Sequence, residues 1–542
     1  MSTIPFDQQY FVEKDRNNKY EWLVFVLTVI TLGIHGLLFH YIPMYLKRKG
    51  PDRNNRYFKF VRQWELWTSC VNFKGFYFQP SLVLLGIIFC GINVAFCFVG
   101  TKDLDYQVRY YIISKRISKV AMGSMPILLF SVIKNDVLTR LSGLQYDRIE
   151  FLHKWLSRWM WVMITVHLSV ACYYWLSLNF LIMIIIPPQI FGFMAYGSFT
   201  LLNWVSLKFI REWAYDFFLV QHRVFAFIML FMSFIHNAGN RAAVLIAVHG
   251  LVIDRVFAKI MAYIHAKKSP TKGKSTFELL DKDTILITIP VDTCNSKWYN
   301  KYSKWKAGQH IYLNVSKVKY FQYHPFTISS LAETGEMKIL MRVQKGFTKK
   351  LYNHLSQVDD TVTMKVHFHG PYGAVHQPFL SFDAICFFGA GSGGAFTFPV
   401  CLDLVKQIEQ REKQQDYLFR SRFPYIKLVW VIRHKENMIW FKHILDELIK
   451  YDVDIEIYVT QDPEEIDSEK SSLEKNTISV KSICSINYGR PPIEDTIQNL
   501  NQKSIAIASC GPKLFTNAVK TYCQKARKSK KNSDIYCYTE SF

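Results

Sequence analysis

Long stretches without a charged residue constrain what this chain can fold into more than any other feature. Residues 22–46 and 75–101 hold 25 and 27 positions without Asp, Glu, Lys or Arg, and residues 159–207 hold 49. A helix needs about 20 apolar residues to cross the hydrocarbon core of a bilayer, which is about 30 Å thick. The first half of the chain is therefore predicted to be a multi-pass α-helical domain in contact with a lipid bilayer.

These stretches and their shorter neighbours predict about seven membrane helices. The predicted helices are residues 20–42, 80–100, 117–134, 151–173, 180–205, 219–239 and 243–264. The segment before Glu21 is polar and mixed in charge, so no signal peptide is expected there. The first helix is instead expected to direct membrane insertion.

Basic loops predict the orientation of these helices. Residues 43–79 carry eight Lys and Arg, and residues 266–274 carry four Lys. Because cytosolic loops hold the excess of positive charge, both segments and the C-terminal half are placed in the cytosol. Residues 101–116, with four basic residues, are an exception on the outer side. The net charge of +23 is thus explained by topology and anionic lipid, and no nucleic-acid partner is expected.

Four histidines are spaced as two matching pairs. His153 and His167 are 14 residues apart on the fourth predicted helix, and His222 and His236 are 14 apart on the sixth. Fourteen residues are close to four helical turns, about 21 Å, so each pair shares a helix face. The two helices run parallel, which puts His153 level with His222 near the cytosol and His167 level with His236 near the outer side.

Facing imidazoles at two levels can bind two haem irons, each from both sides. The alternative is that an intramembrane histidine is only a hydrogen-bonded interior residue. His35, His40 and His249 have no partner at a matching spacing and are interpreted in that way.

The second half changes to a soluble pattern with two parts. Short β-like runs at 284–290, 309–315, 337–343 and 361–368 predict a small antiparallel barrel. From about residue 379, strands alternate with helices, which predicts an α/β nucleotide-binding domain. The predicted domains are residues 1–265, 266–378 and 379–542.

A glycine-rich loop follows the first predicted strand of the α/β domain. Gly389, Gly391 and Gly394 form G-x-G-x-x-G between a buried strand and a helix, a pattern that lets the backbone approach a pyrophosphate. No acidic residue closes the next strand as a ribose acceptor, and Arg433 and Lys435 stand there instead. Arg suits a 2′-phosphate, which favours NADPH over NADH. A simple turn and two solvated cations are the alternative.

Several motifs together resemble the ferric reductase and NADPH oxidase superfamily, in that family's order. The segment from Tyr323 to Ser330, with His324, Pro325, Phe326, Thr327 and Ser329, resembles its flavin-binding segment. The other matching segments are Gly308-Gln309, the loop with Gly346 and Thr348, Gly370-Pro371-Tyr372-Gly373, the Gly389–Gly394 loop, Cys510-Gly511-Pro512 and the terminal Phe542. Residues 151–158 are most similar to small yeast metalloreductase-like membrane oxidoreductases.

The resemblance implies a helical membrane domain with two haems b, followed by a ferredoxin-reductase-like cytosolic half. It implies that the flavin segment, the loop at Gly346 and Thr348 and the Gly370–Gly373 segment bind FAD. It implies that the glycine loop and Cys510-Gly511-Pro512 bind NADPH. In the same way, Cys510 and Phe542 take part in hydride transfer, and the four paired histidines bind haem iron. One departure is His369, where family members often have an acidic residue.

The function implied is electron transfer from cytosolic NADPH through FAD and two haems to an acceptor across the membrane. Ferric or cupric ion is the first expectation, and dioxygen giving superoxide, as in an NADPH oxidase, is the second. Asp103 and Asp105 could attract a metal, although two exposed acids usually mark a solvated loop. The plasma membrane is the expected location, with the endoplasmic reticulum as the alternative.

Two other classes of protein are alternatives to an enzyme. A membrane transporter or receptor with a degenerate cytosolic domain would have lost the flavin and nucleotide segments, and a scaffold subunit would have lost the glycine loop. Here these segments are intact apart from the change at His369. The sequence therefore favours an enzyme.

Overall fold

The structure is a computed structural model that divides into two compact units. The helical unit comprises residues up to His40 and Ser81–Val256, and the sheet unit comprises Tyr41–Pro80 and Phe257–Phe542. The residues described are 4–49, 56–68, 71–73, 76–134, 137–291, 304–318, 322–357, 361–373, 376–413, 423–462, 484–530 and 533–541.

Helices account for most of the chain before residue 269. In chain order they are α1 (Gln9–Gly36), α2 (Ile42–Lys49), α3 (Arg56–Thr68), α4 (Pro80–Phe98), α5 (Arg109–Gly123), α6 (Met125–Phe130), α7 (Val137–Ser142), α8 (Tyr146–Ser177), α9 (Ile182–Ile185), α10 (Pro187–Val205), α11 (Lys208–Trp213), α12 (Tyr215–His236) and α13 (Arg241–Lys268). A π-helical turn, Leu37–Tyr41, joins α1 to α2. A short antiparallel hairpin, β1 (Val71–Phe73) and β2 (Phe76–Phe78), precedes α4.

Each of the seven predicted membrane segments overlaps a helix. Among the described residues, four helices are long and apolar enough to cross a membrane: Gln9–Leu46, Pro80–Phe98, Arg148–Ser177 and Phe217–His236. The third predicted segment is split between α5 and α6, and α10 begins at Pro187 because proline suits the first turn of a helix. The total of seven spans stays a prediction.

The first helix begins 11 residues earlier than the predicted start at residue 20. Its additional turns carry a polar stripe at intervals of four residues, and all four side chains are buried: Gln9, Glu13, Asn17 and Glu21. The stripe faces α5, where Lys115 contacts Glu13 at 2.7 Å and Lys119 contacts Glu21 at 3.1 Å. The sequence did not reveal this pairing, because partners about 100 residues away cannot be seen in a local pattern.

The core of the helical unit joins helices that carry the paired histidines to their neighbours. Met160 of α8, Phe199 of α10, Met229 of α12 and Ala247 of α13 are buried in one cluster. Met160 and Met229 lie midway between the two histidines of their helices. Apolar contacts of this kind fix the rotation of each helix about its axis, and so determine where its histidines point.

The sheet unit begins with an antiparallel sheet, as predicted. Its strands are β3 (Lys274–Asp281), β4 (Thr284–Pro290), β5 (His310–Val315), β6 (His324–Thr327), β7 (Glu336–Arg342) and β8 (Thr361–Tyr372), in the spatial order β6-β5-β8-β3-β4-β7. The Ser329 amide donates to the Lys338 carbonyl at 2.8 Å, which joins the chain after β6 to β7 and curls the sheet. Helix α14 (Phe347–Leu355) lies between β7 and β8.

A parallel sheet follows, which is the predicted α/β architecture. Its strands are β9 (Ala384–Ala390), β10 (Tyr425–Ile432), β11 (Asp454–Val459), β12 (Cys484–Tyr488), β13 (Ser504–Gly511) and β14 (Asp534–Ser541), in the order β12-β11-β10-β9-β13-β14. Its helices are α15 (Gly394–Lys413), α16 (Lys442–Leu448), α17 (Ile493–Gln498) and α18 (Lys513–Ser529). The sequence did not predict β12, β14 or α17. Residues 461–482 are polar and rich in Ser and Glu, which predicts a surface loop, and they lie almost wholly outside the described residues.

Helix α3 packs on the parallel sheet through a buried arginine. Arg62 contacts Asp534 of β14 at 2.6 Å and Glu65 at 2.6 Å, and it donates to Gln377 at 2.8 Å. Burial disfavours the charge, but Asp534 and Glu65 outweigh this effect and raise the pKa of Arg62. Arg527 is half-buried beside Arg62, and loss of solvation lowers its pKa to about 10, which leaves it charged at neutral pH.

Candidate functional site

The four predicted haem ligands lie on two helices of the helical unit. His153 and His167 are on α8, and His222 and His236 are on α12. His153 interacts electrostatically with His222, and His167 interacts with His236. The structure therefore brings the four side chains together in the two pairs that the spacing predicts.

Hydrogen bonds fix the tautomer of three of these imidazoles. The bonds are His153 Nδ1 to Leu128 O (3.1 Å), His167 Nδ1 to Ser114 O (2.9 Å) and His236 Nδ1 to Pro188 O (2.7 Å). A carbonyl oxygen can only accept, so Nδ1 carries the hydrogen and Nε2 keeps its lone pair. A metal-ligating histidine with its other nitrogen hydrogen-bonded to a carbonyl has this arrangement. In the described part of the chain, Nδ1 of His222 has no hydrogen-bond partner.

A glycine on α10 allows one ring to approach its neighbour closely. A Cβ atom at Gly192 would lie 2.8 Å from Cε1 and Nδ1 of His236, so a larger residue would displace the imidazole. Facing pairs of histidines with Nε2 available fit two haems, each with two histidine ligands.

The predicted flavin segment forms an edge strand of the antiparallel sheet. His324, Pro325, Phe326 and Thr327 make up β6, which pairs with β5. The His324 ring stacks on Phe347 with centroids 4.5 Å apart, so the structure brings this strand next to the loop predicted to hold the flavin pyrophosphate. Ser329 is different: its buried hydroxyl donates to the Lys338 carbonyl at 2.9 Å and so fastens the chain to β7.

The loop with Gly346 and Thr348 leads into α14. Gly346 has φ +80°, a left-handed conformation that favours glycine, and it precedes the first helical residue. Thr348 Oγ accepts from the Gln344 amide at 2.7 Å and donates to the Gln344 carbonyl at 3.1 Å, which closes the loop. Free amides at the helix N-terminus suit an anionic pyrophosphate.

The resemblance implies that Gly370-Pro371-Tyr372-Gly373 is a turn between the barrel and the nucleotide domain, but Gly370, Pro371 and Tyr372 complete β8. Pairing of Tyr372 with His310 of β5 extends the strand to this point. Gly373 then leaves the strand with φ +78°. The difference arises because a Gly-Pro pair predicts a turn locally, whereas the neighbouring strand stabilises an extended chain.

His369, at the position where the family often has an acid, is buried among tyrosines. Its ring stacks on Tyr312 with centroids 5.3 Å apart, lies 5.0 Å from Tyr323, and bonds to Tyr372 through Nδ1 at 2.9 Å. The histidine thus holds Tyr372 in place, a packing role that an acid could not fill with the same ring contacts.

The glycine loop is packed against the C-G-P segment. Gly391 has φ +56°, and its carbonyl accepts from Trp430 Nε1 at 3.0 Å. A Cβ atom at Gly393 would lie 2.2 Å from the Cys510 carbonyl oxygen, and one at Gly394 would lie 2.3 Å from Phe441. Glycines are therefore needed here for close approach, beginning with Gly389 at the end of β9.

Cys510, Gly511 and Pro512 end β13 and precede α18. Burial raises the pKa of the Cys510 thiol well above its usual range, so it stays protonated and is no nucleophile. Strand pairing places Glu540 of β14 beside Cys510, a neighbour that sequence analysis missed because β14 was not predicted. Phe542 lies outside the described residues.

The basic segment after β10 has an acidic neighbour that the sequence did not reveal. Asp462, beyond the end of β11, accepts from His434 Nδ1 at 2.7 Å and from the Lys435 amide at 2.6 Å. These hydrogen bonds lower the pKa of Asp462. Arg433 is exposed at the end of β10, on the same edge of the sheet as the glycine loop.

The two acids considered for an acceptor metal have protein partners. Arg16 donates to both oxygens of Asp103 at 2.8 Å, and Gln9 donates to Asp105 at 2.7 Å. Within the described ranges, no three His, Cys, Asp or Glu residues are grouped to hold a metal ion.

Three family models match consecutive parts of the chain. Residues 117–233 match the ferric reductase like transmembrane component, residues 274–376 an FAD-binding domain, and residues 382–524 the ferric reductase NAD binding domain. The chain therefore carries a ferric-reductase-like membrane component followed by domains for FAD and a nicotinamide nucleotide. The resemblance to the ferric reductase and NADPH oxidase superfamily is confirmed, and so is the predicted order of a helical membrane domain, an antiparallel sheet and an α/β domain. The predicted number of membrane helices and the two haems stay predictions.

Fungal proteins are among the curated relatives. Ferric reductase transmembrane component 5 of Saccharomyces cerevisiae is 25% identical over 78% of this chain and 60% of its own length. Ferric reductase transmembrane component 1 of Schizosaccharomyces pombe is 22% identical over 84% of this chain and 85% of its own length. Ferric/cupric reductase transmembrane component 1 of Candida albicans is 24% identical over 80% of this chain and 58% of its own length. The match thus spans under two thirds of two of these three relatives.

Proposed function

We propose that this protein transfers electrons across a membrane from NADPH, through FAD and two haems, to ferric or cupric ion. The observation that carries the proposal is that one chain combines two levels of paired histidines with flavin motifs on an antiparallel sheet and nucleotide motifs on a parallel sheet. The names of the fungal relatives favour a metal ion as the acceptor. FAD, when bound, turns a two-electron hydride donor into the single electrons that haem iron accepts.

In this proposal the helical unit holds both haems b. His153 and His222 would bind the cytosolic haem, and His167 and His236 the outer haem. The carbonyls that accept from three Nδ1 atoms fix the tautomer and the rotation of these imidazoles, so that each Nε2 keeps its lone pair. Their role is to orient the ligands before iron binds, which limits the loss of side-chain freedom on binding.

The barrel and the α/β domain, proposed as residues 266–378 and 379–542, would hold FAD and NADPH. The β6 segment and the start of α14 would bind FAD, because the His324–Phe347 stack brings them together. The glycine loop would bind the NADPH pyrophosphate, Arg433 its 2′-phosphate, and Cys510 with Phe542 would border the nicotinamide. Tyr372, held by His369, would line the flavin side.

The proposed orientation puts both nucleotide sites in the cytosol and the His167–His236 pair near the outer face, at the plasma membrane. Basic residues in 43–79 and 266–274 support this orientation. Electrons would then pass from the cytosolic side of the membrane to a metal ion outside the cell.

The test compares the rate of metal reduction with and without removal of superoxide. Purified full-length protein in lipid nanodiscs, supplied with FAD, haem and NADPH, is mixed with Fe(III) or Cu(II), with and without superoxide dismutase. The proposal expects metal reduction at an equal rate in both samples. Suppression of metal reduction by the dismutase would instead identify dioxygen as the acceptor and superoxide as the product.

A further inference from the structure

Two serine hydroxyls contact the paired histidines of α8. Ser131, which follows α6, has its Oγ 2.8 Å from His153 Nδ1. Ser114 of α5 has its Oγ 3.1 Å from His167 Nδ1. Both serines are buried, with 5% and 0% of their surface exposed, so water does not compete for these hydrogen bonds. Each histidine of α8 therefore has a hydroxyl partner from a neighbouring helical segment.

The direction of these hydrogen bonds follows from the other bond that each hydroxyl makes. Ser131 Oγ donates to the Leu128 carbonyl at 2.6 Å, and Ser114 Oγ donates to the His167 carbonyl at 3.0 Å. A hydroxyl has one hydrogen, and in both serines it is committed to a carbonyl. Toward the imidazole each oxygen must accept, so Nδ1 is the donor and Nε2 carries the lone pair.

Among the described residues, the two histidines of α12 have no hydroxyl partner of this kind. His236 donates to a backbone carbonyl, and His222 lacks a hydrogen-bond partner for Nδ1 among the residues the structure covers. In the His153–His222 pair, nearer the cytosol, only His153 therefore has an Nδ1 held by a hydrogen bond to a described residue. Ser131 provides the shorter of the two contacts to that nitrogen, since Leu128 O lies at 3.1 Å.

We propose that Ser131 and Ser114 are positioning residues that hold His153 and His167 as haem ligands and raise the electron-donating strength of their Nε2 atoms. This inference rests on the haem assignment in the proposed function. A hydrogen bond from Nδ1–H to an acceptor makes the imidazole more basic, and it favours ferric over ferrous iron. Removing the acceptor should weaken the haem–protein bond and shift the midpoint potential upward.

The two serines should differ in importance. In Ser131→Ala the closest acceptor of His153 disappears. In Ser114→Ala the carbonyl of residue 114 remains, and this oxygen is nearer to His167 Nδ1, at 2.9 Å, than the hydroxyl that is lost. The larger change is therefore expected at Ser131, on the pair nearer the cytosol.

The experiment measures midpoint potential, the electron paramagnetic resonance spectrum and the rate of haem transfer to apomyoglobin in full-length protein. Ser131→Ala should raise the potential of one haem and speed its loss by about 10- to 100-fold. Ser114→Ala should cause a smaller change in the other haem. Ser131→Thr keeps the hydroxyl and should restore the wild-type values.

Ser118→Ala is the matched control, because this serine of α5 donates to the Lys115 carbonyl and, among the described residues, hydrogen-bonds to no histidine. If Ser131→Ala and Ser114→Ala match this control in all three readouts while the wild type binds two low-spin haems, the positioning role is wrong and the proposed function stands. A wild type without low-spin haem overturns the haem assignment and, with it, this inference.

Discussion

The helical unit and the sheet unit hold their candidate cofactor residues in different ways. In the sheet unit the residues follow one another along the chain, at strand ends and in tight loops such as Gly391–Gly393. In the helical unit the residues come from two helices, and their partners Ser114 and Ser131 come from two further helical segments. A local sequence motif is enough to predict the arrangement in the sheet unit. The arrangement in the helical unit depends on how several helices pack.

The two units also differ in how their buried charges are paired. Arg62 of the sheet unit combines two carboxylates and an amide around one guanidinium. In the helical unit the polar stripe of α1 is neutralised along its length by Lys115 and Lys119 of α5. Buried charges need partners at short range, because an unpaired ion in a region of low dielectric is strongly destabilising. Loss of one such partner should therefore destabilise the unit that contains it.

The largest expected effect is on stability, at Arg62. Arg62→Met removes the buried cation that contacts Asp534 and Glu65, which should lower the free energy of unfolding by about 3–5 kcal/mol. Urea unfolding of the full-length protein, followed by flavin fluorescence and by the haem Soret band, tests this. The flavin transition should move to lower urea and the Soret transition should stay. Lys413→Met, which removes an exposed i,i+4 pair with Glu409, serves as the control and should change neither.

The next effect is on flavin reduction, at Gly393. A methyl group there meets the Cys510 carbonyl, so the glycine loop or β13 must shift. Overpacking of this kind costs about 1–3 kcal/mol, roughly 5- to 150-fold in rate if the cost falls on the transition state. Stopped-flow reduction of the flavin by NADPH should slow in Gly393→Ala, with haem content intact. Gly86→Ala, where no described residue outside the local turn of α4 lies within 4 Å of the new carbon, should behave as wild type. An equal slowing in both variants would refute the packing argument.

The third effect is on nucleotide choice, at Arg433. Arg433→Ala should raise KM for NADPH about tenfold or more, because a charge-assisted hydrogen bond contributes about 1.5–3 kcal/mol. KM for NADH should hardly change. Arg411→Ala, an exposed arginine of α15, is the control. Equal changes for both nucleotides would show that Arg433 does not contact the 2′-phosphate.

The smallest effect is expected at the C-terminus. Removing Phe542 should slow flavin reduction and change the preference between NADPH and NADH, because in the proposed function its ring would cover the flavin until nicotinamide displaces it. Haem content and electron transfer from pre-reduced flavin should be unaffected. An unchanged rate and preference would make Phe542 an ordinary chain end.

Much of the sheet unit could be predicted from sequence, because its strands are short apolar runs separated by turns. The glycine loop lies where its pattern indicated, between β9 and α15. The strand β14 and its Glu540 were missed because pairing with β13 cannot be read from the segment alone. Asp462 was missed for the same reason, since it contacts His434 only when β10 and β11 lie side by side.

In the helical unit the sequence predicted the histidine pairs from helical spacing, which is a property of a single helix. It did not predict the buried stripe of α1, nor the serines beside His153 and His167. Polar residues with a regular spacing indicate a polar face, but they do not show whether that face meets water or another helix. The partners of such a face are determined by tertiary packing.

Haem content tests the central claim most directly. Pyridine haemochrome analysis of the purified protein should find two haems per chain, both low-spin. In His167→Ala it should find one haem, and metal reduction should stop while NADPH still reduces the flavin. A His167→Ala protein with two haems and full metal reduction would contradict the account.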